Sequence, residues 1–491
     1  MGQLGRQSIF SFFSSYAGIV LGMLNKVLLF PIVFYEHEEY WALLELYVAY
    51  ASIISTMAHF GMPRVLQRFY PGMEEEDKPR FLGYTLIYTL IGSVLIGFLM
   101  YFLQDPISRW ATDGSAEFSF FREHYVLLLV LTTVMVFFDY LGGILISNFR
   151  SHLPIFLNSV SLRIGVSLCI AAFYIFGFSR EVFMYLFISV YLVNVFIAGI
   201  YLFRKKLLHF TFRGTIEKQG YLQFGMFSVM AGTSGWLLNF MDTLFVGKYF
   251  FAQVTLLVVA KYIANIVHMP ARAVVQASVP VISRAWKLND KEQLGLIYRK
   301  TALTELLVGG LIFLVIWINI DLFLTFFRNP EYRGIKYVFL VFALGRLVDL
   351  STGSNSAIIS NSHHYRFSLY ANIGLVITAV LLNFWLTPVY GIIGAAAALS
   401  IAITINNIAM VYYLWVKEHI QPFTKVHLLV LGFFAIVVTL LSNPFEMPLW
   451  ADLIIRNGAF AAGTWVLIFY FKPVQEINTL FESMWQRVSR R

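Results

Sequence analysis

The sequence predicts an all-α polytopic membrane protein, and three observations carry that reading. Charged residues make up 13 % of the 491, about half the share of an ordinary globular chain, while 59 % are apolar and mean hydropathy is +0.71. The apolar residues gather into runs near the roughly 20 that cross a bilayer core of about 30 Å. Lys and Arg fall mostly on one side of the intervening loops. So few polar groups cannot cover several globular surfaces, which excludes a cytosolic enzyme, a secreted disulfide scaffold and a disordered regulator. The single cysteine, Cys169, sits in an apolar run and reads as a small buried hydrophobe; neither an internal disulfide nor a cysteine metal cluster is available.

Cut at its charged and Pro/Gly breaks, the chain gives fourteen runs, near 9–35, 40–60, 81–104, 124–146, 153–177, 182–203, 221–247, 251–282, 299–320, 335–360, 367–387, 391–416, 426–442 and 449–471. The first is too long for a signal-peptide core and lacks a small-residue cleavage site, so it reads as a retained helix. With both termini inside, 23 Lys and Arg lie in the cytoplasmic segments and 7 in the opposite loops, the first of which reads Glu36-His37-Glu38-Glu39. By the positive-inside rule this bias sets the topology. Six cations remain within spans and need explaining: Lys26, Arg163, Lys261, Arg272, Arg346 and Arg456.

The chain also repeats. At an offset of 213 to 214 residues Phe13-Ser14, Ala17-Gly18 and Leu24-Asn25 meet Phe227-Ser228, Ala231-Gly232 and Leu238-Asn239. Ile146-Ser147-Asn148 meets Ile359-Ser360-Asn361, Asn158 meets Asn372, and Asn194 meets Asn407. A shared offset across four helix pairs predicts two related six-helix bundles, residues 1–204 and 205–420, followed by two further spans at 421–471. In the tail, 472–491, Val474, Ile477, Phe481, Met484 and Val488 recur at helical spacing beside Arg487, Arg490 and Arg491, the pattern of an interfacial amphipathic helix on the cytoplasmic leaflet.

Span 8 carries the sharpest chemical signal. Lys261, Asn265, His268, Arg272 and Gln276 recur at i, i+4, i+7, i+11 and i+15, one face of an α-helix. An ionisable group facing lipid costs at least about 2.5 kcal/mol at the helix centre, so this stripe faces protein or a water-filled lumen. Acids to neutralise two cations some 16 Å apart along a helix are scarce, which favours the lumen. Spans 1, 2 and 7 are polar on one side too, through Ser11, Ser15, Gly18, Gly22, Asn25 and the adjacent Lys26; Glu45, Ser52, Thr56 and His59; and Ser228, Gly232, Gly235, Asn239 and Asp242. Small residues at this spacing read first as helix-packing faces. Arg346 and Asp349, three apart on span 10, are expected to form a structural charge pair, and Asp139 and Arg163 another between spans 4 and 5.

Fourteen spans in a 6+6+2 pattern resemble the multidrug/oligosaccharidyl-lipid/polysaccharide (MOP) exporter superfamily. Within it, Leu238-Asn239-Phe240-Met241-Asp242, the segment Ser278 to Arg284, and Leu382-Asn383 with Thr387-Pro388-Val389-Tyr390-Gly391-Ile392-Ile393-Gly394-Ala395-Ala396 look like the polysaccharide-transport branch, the Wzx-type flippases. The resemblance covers about residues 5 to 420. It implies a V-shaped central cavity between two lobes and transfer of a polyprenyl-diphosphate-linked oligosaccharide to the periplasmic leaflet of a bacterial inner membrane. Many Wzx-type members stop at twelve spans, so the last two keep a lipid II flippase open.

A cationic, amide-lined lumen suits such a headgroup, since it replaces the hydration of phosphate and sugar. Lys26, Lys261 and Arg272 are expected to hold the diphosphate, and Asn25, Asn239, Asn265, His268 and Gln276 to hydrogen-bond the saccharide. Asp242, the only acid on span 7, is a candidate for coupling to a proton or Na⁺; the competing reading is a salt bridge to Lys26 or Lys261. No GxxxxGK[ST] loop is present, so this chain does not hydrolyse ATP by that route. No cofactor, metal or nucleic acid is expected. The expected partners are the lipid-linked oligosaccharide, membrane lipids and a polymerase or ligase of the same pathway, with the protein itself a monomer.

Two rival functions remain. A cation-coupled multidrug exporter of the same superfamily would share the bundles, but the exporters it resembles use an acid in the first span, where this chain has Lys26. A membrane glycosyltransferase using Glu36, Glu38 and Glu39 is the rival from another class; that loop is only a few residues long and reads better as a solvated acidic turn.

Overall fold

The computed structural model describes residues 3–113, 117–212, 220–442 and 447–469. The expected interfacial helix of the tail lies outside them. The described residues form helices and turns, with no strand among them, and they group into two compact units, Met1–Val258 and Val259–Arg491.

The first unit begins with α1 (Gln3–Met23), which runs through a π-helical stretch, Leu24–Leu29, into α2 (Phe30–Val33). Proline supplies the reason. Pro31 has no N–H and its ring crowds the carbonyl of Val27 four residues back, and the ladder widens so that Phe30 N–H bonds Asn25 O, five residues back. The chain continues through α3 (Glu38–Ala58), α4 (Met62–Phe69), α5 (Lys78–Phe102), α6 (Gln104–Thr112), α7 (Glu117–Glu123) and α8 (Tyr125–Ser147). Then α9 (His152–Phe156) leads through a second π-helical stretch, Leu157–Ser161, into α10 (Leu162–Phe176), followed by α11 (Arg180–Arg204) and α12 (Tyr221–Tyr249).

Helix α3 is the central rod of this unit, with 78 % of its apolar window buried. It packs on α8, α12 and α5. Trp41 stacks on Phe30 at 5.0 Å and Phe34 on Phe173 at 4.9 Å, so aromatic rings fasten α2 to α3 and α10. Below them Val65, Leu66, Phe81, Ile144 and Leu202 close a core drawn from α4, α5, α8 and α11. A Cβ on Gly18 would lie 2.6 Å from Ser159 O, and one on Gly232 2.9 Å from Thr56 Cγ2, so these two stripe residues are packing glycines, as their spacing suggested.

The boundary between the units falls within α13 (Val254–Val267). The second unit continues with α14 (Met269–Lys287), α15 (Lys291–Leu324), α16 (Ile335–Thr352), α17 (Asn355–Ser360), α18 (Tyr365–Glu418), α19 (Lys425–Leu441) and α20 (Leu449–Phe469). Helices α16 and α18 form its tightest pair; a Cβ on Gly345 would sit 2.7 Å from Ser400 Cβ, a distance only glycine permits. Helix α18 is two helices joined at Gly391, whose φ of 59° and ψ of −140° break the helical run. The Thr387 to Ala396 motif is this joint. Thr387 Oγ1 donates to Asn383 Oδ1 at 3.0 Å, and Gly394 lies where a Cβ would meet Leu386 O at 2.1 Å.

Among the described residues nine helices are long and apolar enough to cross a membrane, or ten with the bent pair Phe251–Val267 and Met269–Lys287 counted as one span. The fourteen runs counted from sequence exceed this for physical reasons. Helix α16 carries Lys336, Arg346 and Asp349, α12 is rich in Ser, Thr, Gly and Asn, α19 has 17 residues, and α18, with its joint at Gly391, takes in two of the runs within its 54 residues. Arg456 is also explained: it pairs with Asp452 one turn back on α20, 2.6 Å apart, and donates to Ile318 O at 2.7 Å.

Candidate functional site

In the first unit the π-helical stretch turns Asn25 and Lys26 toward different neighbours. Asn25 is buried; its amide donates to Arg163 O at 2.8 Å and accepts from Ser167 Oγ at 2.6 Å, tying the first span to α10. Lys26 forms an ion pair with Glu45 of α3, whose Oε1 also accepts from Trp41 Nε1 at 2.8 Å. The Phe30 ring lies 4.6 Å from the ammonium. The cation is thus paired, hydrogen-bonded and ring-stacked, with 14 % of its side chain exposed.

The other titratable residues of this unit are arranged differently from the sequence expectation. Arg163 donates to the carbonyls of Asn158 and Ser159 on its own helix, at 2.6 and 2.8 Å, while Asp139 lies 3.9 Å from His59. The pair expected between Asp139 and Arg163 is therefore not formed: the widened π turn beside Arg163 offers its guanidinium nearer acceptors. The His59 ring accepts the Gly61 N–H at Nδ1, 3.1 Å away. Asp242 is buried on α12 and accepts Thr243 N–H at 2.9 Å; Asn239, one turn back, is exposed.

In the second unit the polar stripe is broken in the middle. Pro270 follows His268, and the helices on either side bend by 44°, so Lys261 and Asn265 belong to α13 and Arg272 and Gln276 to α14. Asn265 Oδ1 accepts from Arg346 at 3.0 Å. His268 Nε2 lies 2.9 Å from Asp349 Oδ2, and Asn407 donates to the other carboxylate oxygen at 2.9 Å. Each residue of the expected Arg346–Asp349 pair thus bonds to a helix other than its own. Asn407 in turn accepts from Thr352 and Asn355, both at 2.7 Å. Lys261 is buried, whereas Arg272 and Gln276 are exposed.

One member of this network escaped the sequence reading. Glu305, 2 % exposed on α15, lies within hydrogen-bonding reach of Ser354 Oγ at 3.5 Å, just beyond the end of the helix that carries Asp349. The signal was present, since an acid within an apolar run is as costly as the cations singled out there. Glu305 thus adds a buried carboxylate to the half-buried Asp349, His268 and Arg346, a composition suited to taking up a proton or a small cation.

This fold has known relatives. Residues 228–385 match the MatE family model; among curated protein sequences none matches the chain. Among solved structures, a lipid II flippase MurJ in an inward closed conformation superposes with a TM-score of 0.72 at 16 % identity, over 94 % of this chain and 98 % of that one. An inward-facing multidrug resistance MATE family transporter gives 0.66 at 16 % identity, over 81 % and 94 %. A MOP superfamily transporter from Pyrococcus furiosus, described as having a binding pocket of reverse polarity, gives 0.58 at 16 % identity, over 85 % and 96 %. Residues 228–385 are thus similar to the MatE family model, and nearly the whole chain shares the fold of these MurJ and MATE structures.

Proposed function

We propose that the protein is a flippase that moves a polyprenyl-diphosphate-linked oligosaccharide, the repeat unit of O-antigen or another surface polysaccharide, from the cytoplasmic to the periplasmic leaflet by alternating access. The observation that carries this reading is the reach of the shared fold: 94 % of the chain is matched by the lipid II flippase, against 81 % and 85 % by the two transporters above. Chemistry supports it. In the second unit Lys261 and Arg272 offer cations to the diphosphate and Asn265, His268 and Gln276 offer hydrogen bonds to the saccharide; in the first unit Lys26 offers a cation and Asn25 and Asn239 offer amides. An inside-negative potential favours outward movement of the anion by roughly 2.3 kcal/mol per charge per 100 mV. The bias of Lys and Arg supports a bacterial inner-membrane protein with both termini cytoplasmic.

Lipid II is the second reading, favoured by the same match. Reconstitution with fluorescent carrier-linked oligosaccharides, lipid II and a cationic drug in parallel, with leaflet transfer as the readout, separates the three. Transfer of the oligosaccharide alone is expected; transfer of lipid II alone selects the second reading, and drug efflux without lipid transfer overturns both.

A further inference from the structure

Outside the polar regions described above, His363, His364 and Glu418 meet at one end of α18. The two histidines precede its first residue and the glutamate is its last. They meet because the joint at Gly391 turns the 54-residue helix back on itself. We propose that these three side chains form a binding site for one divalent transition-metal ion of the zinc type.

The geometry suits that ion. One ligand atom from each residue lies within 4.8 Å of the others, with Glu418 Oε1 2.9 Å from His364 Nε2 and 3.8 Å from His363 Nε2. A tetrahedral zinc with bonds of 2.0 to 2.2 Å holds its ligands about 3.4 Å apart, so small side-chain adjustments close the set. The outer contacts already aim the ligand atoms. Tyr413 Oη lies 2.9 Å from His364 Nδ1, leaving Nε2 toward the gap, and Lys291 Nζ holds Glu418 Oε2 at 2.9 Å, leaving Oε1 toward it. Such partners orient metal ligands and fix the imidazole tautomer. The edge of the Trp286 ring steadies His363, with ring centres 5.5 Å apart.

Binding replaces the proton on His364 Nε2, which now faces the carboxylate, with the metal. Nδ1 then carries the proton and donates it to Tyr413 Oη. Two imidazoles and one carboxylate suit zinc, copper or nickel better than magnesium or calcium, which prefer all-oxygen shells. His363 is 68 % exposed on its side chain, so ion and water reach the fourth position. Occupancy would clamp the two ends of α18 together.

Zinc binding to the full-length protein, purified without a histidine tag and stripped with EDTA, tests this by competition with a chromogenic chelator. One equivalent of Zn(II) is expected, with Mg(II) failing to compete. His363→Ala, a change at an exposed position, should weaken that equivalent at least about tenfold, and His364→Ala should abolish it. Lys291→Met, which removes a partner that aims Glu418 but no ligand, should weaken it without abolishing it. Zn(II) should also raise the melting temperature of the wild type but not of the His363→Ala/His364→Ala double variant. Absence of binding to the wild type, or binding and melting shift unchanged in both histidine variants, would overturn the proposal.

Discussion

Lys26 and Arg272 show how differently two intramembrane cations are managed. Lys26 has a carboxylate, an aromatic face and little exposure, so its charge is stabilised locally. Removing Glu45 leaves it desolvated and unpaired, and breaking such a pair costs about 3 kcal/mol. Glu45→Gln should therefore lower the melting temperature in detergent, and adding Lys26→Met should restore most of it, the non-additivity measuring the coupling. Arg272 is exposed and makes no hydrogen bond or ion pair among the described residues. Arg272→Gln should leave melting unchanged while reducing transport, and Arg272→Glu should reduce it further; wild-type flux in a stably inserted Lys261→Glu/Arg272→Glu variant would remove the electrostatic basis of the proposed substrate.

At the scale of the helix, the joints decide the architecture. Gly391 adopts a backbone conformation essentially confined to glycine, where another residue costs about 1 to 3 kcal/mol. Gly391→Ala should lower stability by that amount, read by thermal unfolding, whereas alanine at Gly374, where an added Cβ meets nothing within 4 Å, should not. The sequence exposed some of these joints. Asn148 and Asn361, paired by the repeat, cap α8 and α17 in the same way, each donating at 2.8 Å to the carbonyl four residues back. Asn194 and Asn407, paired likewise, each anchor a buried polar network. The π-helical stretches were harder to read, because a proline such as Pro31 marks a disturbed ladder without saying whether the helix kinks there or widens. Long-range partnership was also invisible: Lys26 and Glu45 were each recognisable as polar faces, but nothing in their spacing said that they meet.

At the scale of the whole chain, a buried acid and a half-buried one compete for the coupling role. Asp242 lies in the first unit and Asp349, with His268 and Glu305, in the second. If Asp242 couples transport to an ion gradient, Asp242→Asn should abolish the gradient dependence of flux while Asp349→Asn mainly lowers stability, since Asn407 and His268 would lose their acceptor. The reverse pattern would move coupling to the second unit. The composition made membrane residence and helical class legible, while the grouping of helices depends on which faces pack. Helix α12, expected with residues 205–420, packs on α3 and groups with the first unit.

The pair on α20 bears on how the protein is made. Asp452 and Arg456 satisfy each other within one turn, so the last described helix carries almost no net charge once it coils. What the carboxylate leaves unsatisfied on the guanidinium is taken by Ile318 O of α15 and Leu441 O of α19. Both acceptors precede Arg456 in the chain and have left the ribosome before it. The full set of acceptors for this arginine exists only once α15, α19 and α20 have packed together, so the last described helix is seated by the two before it.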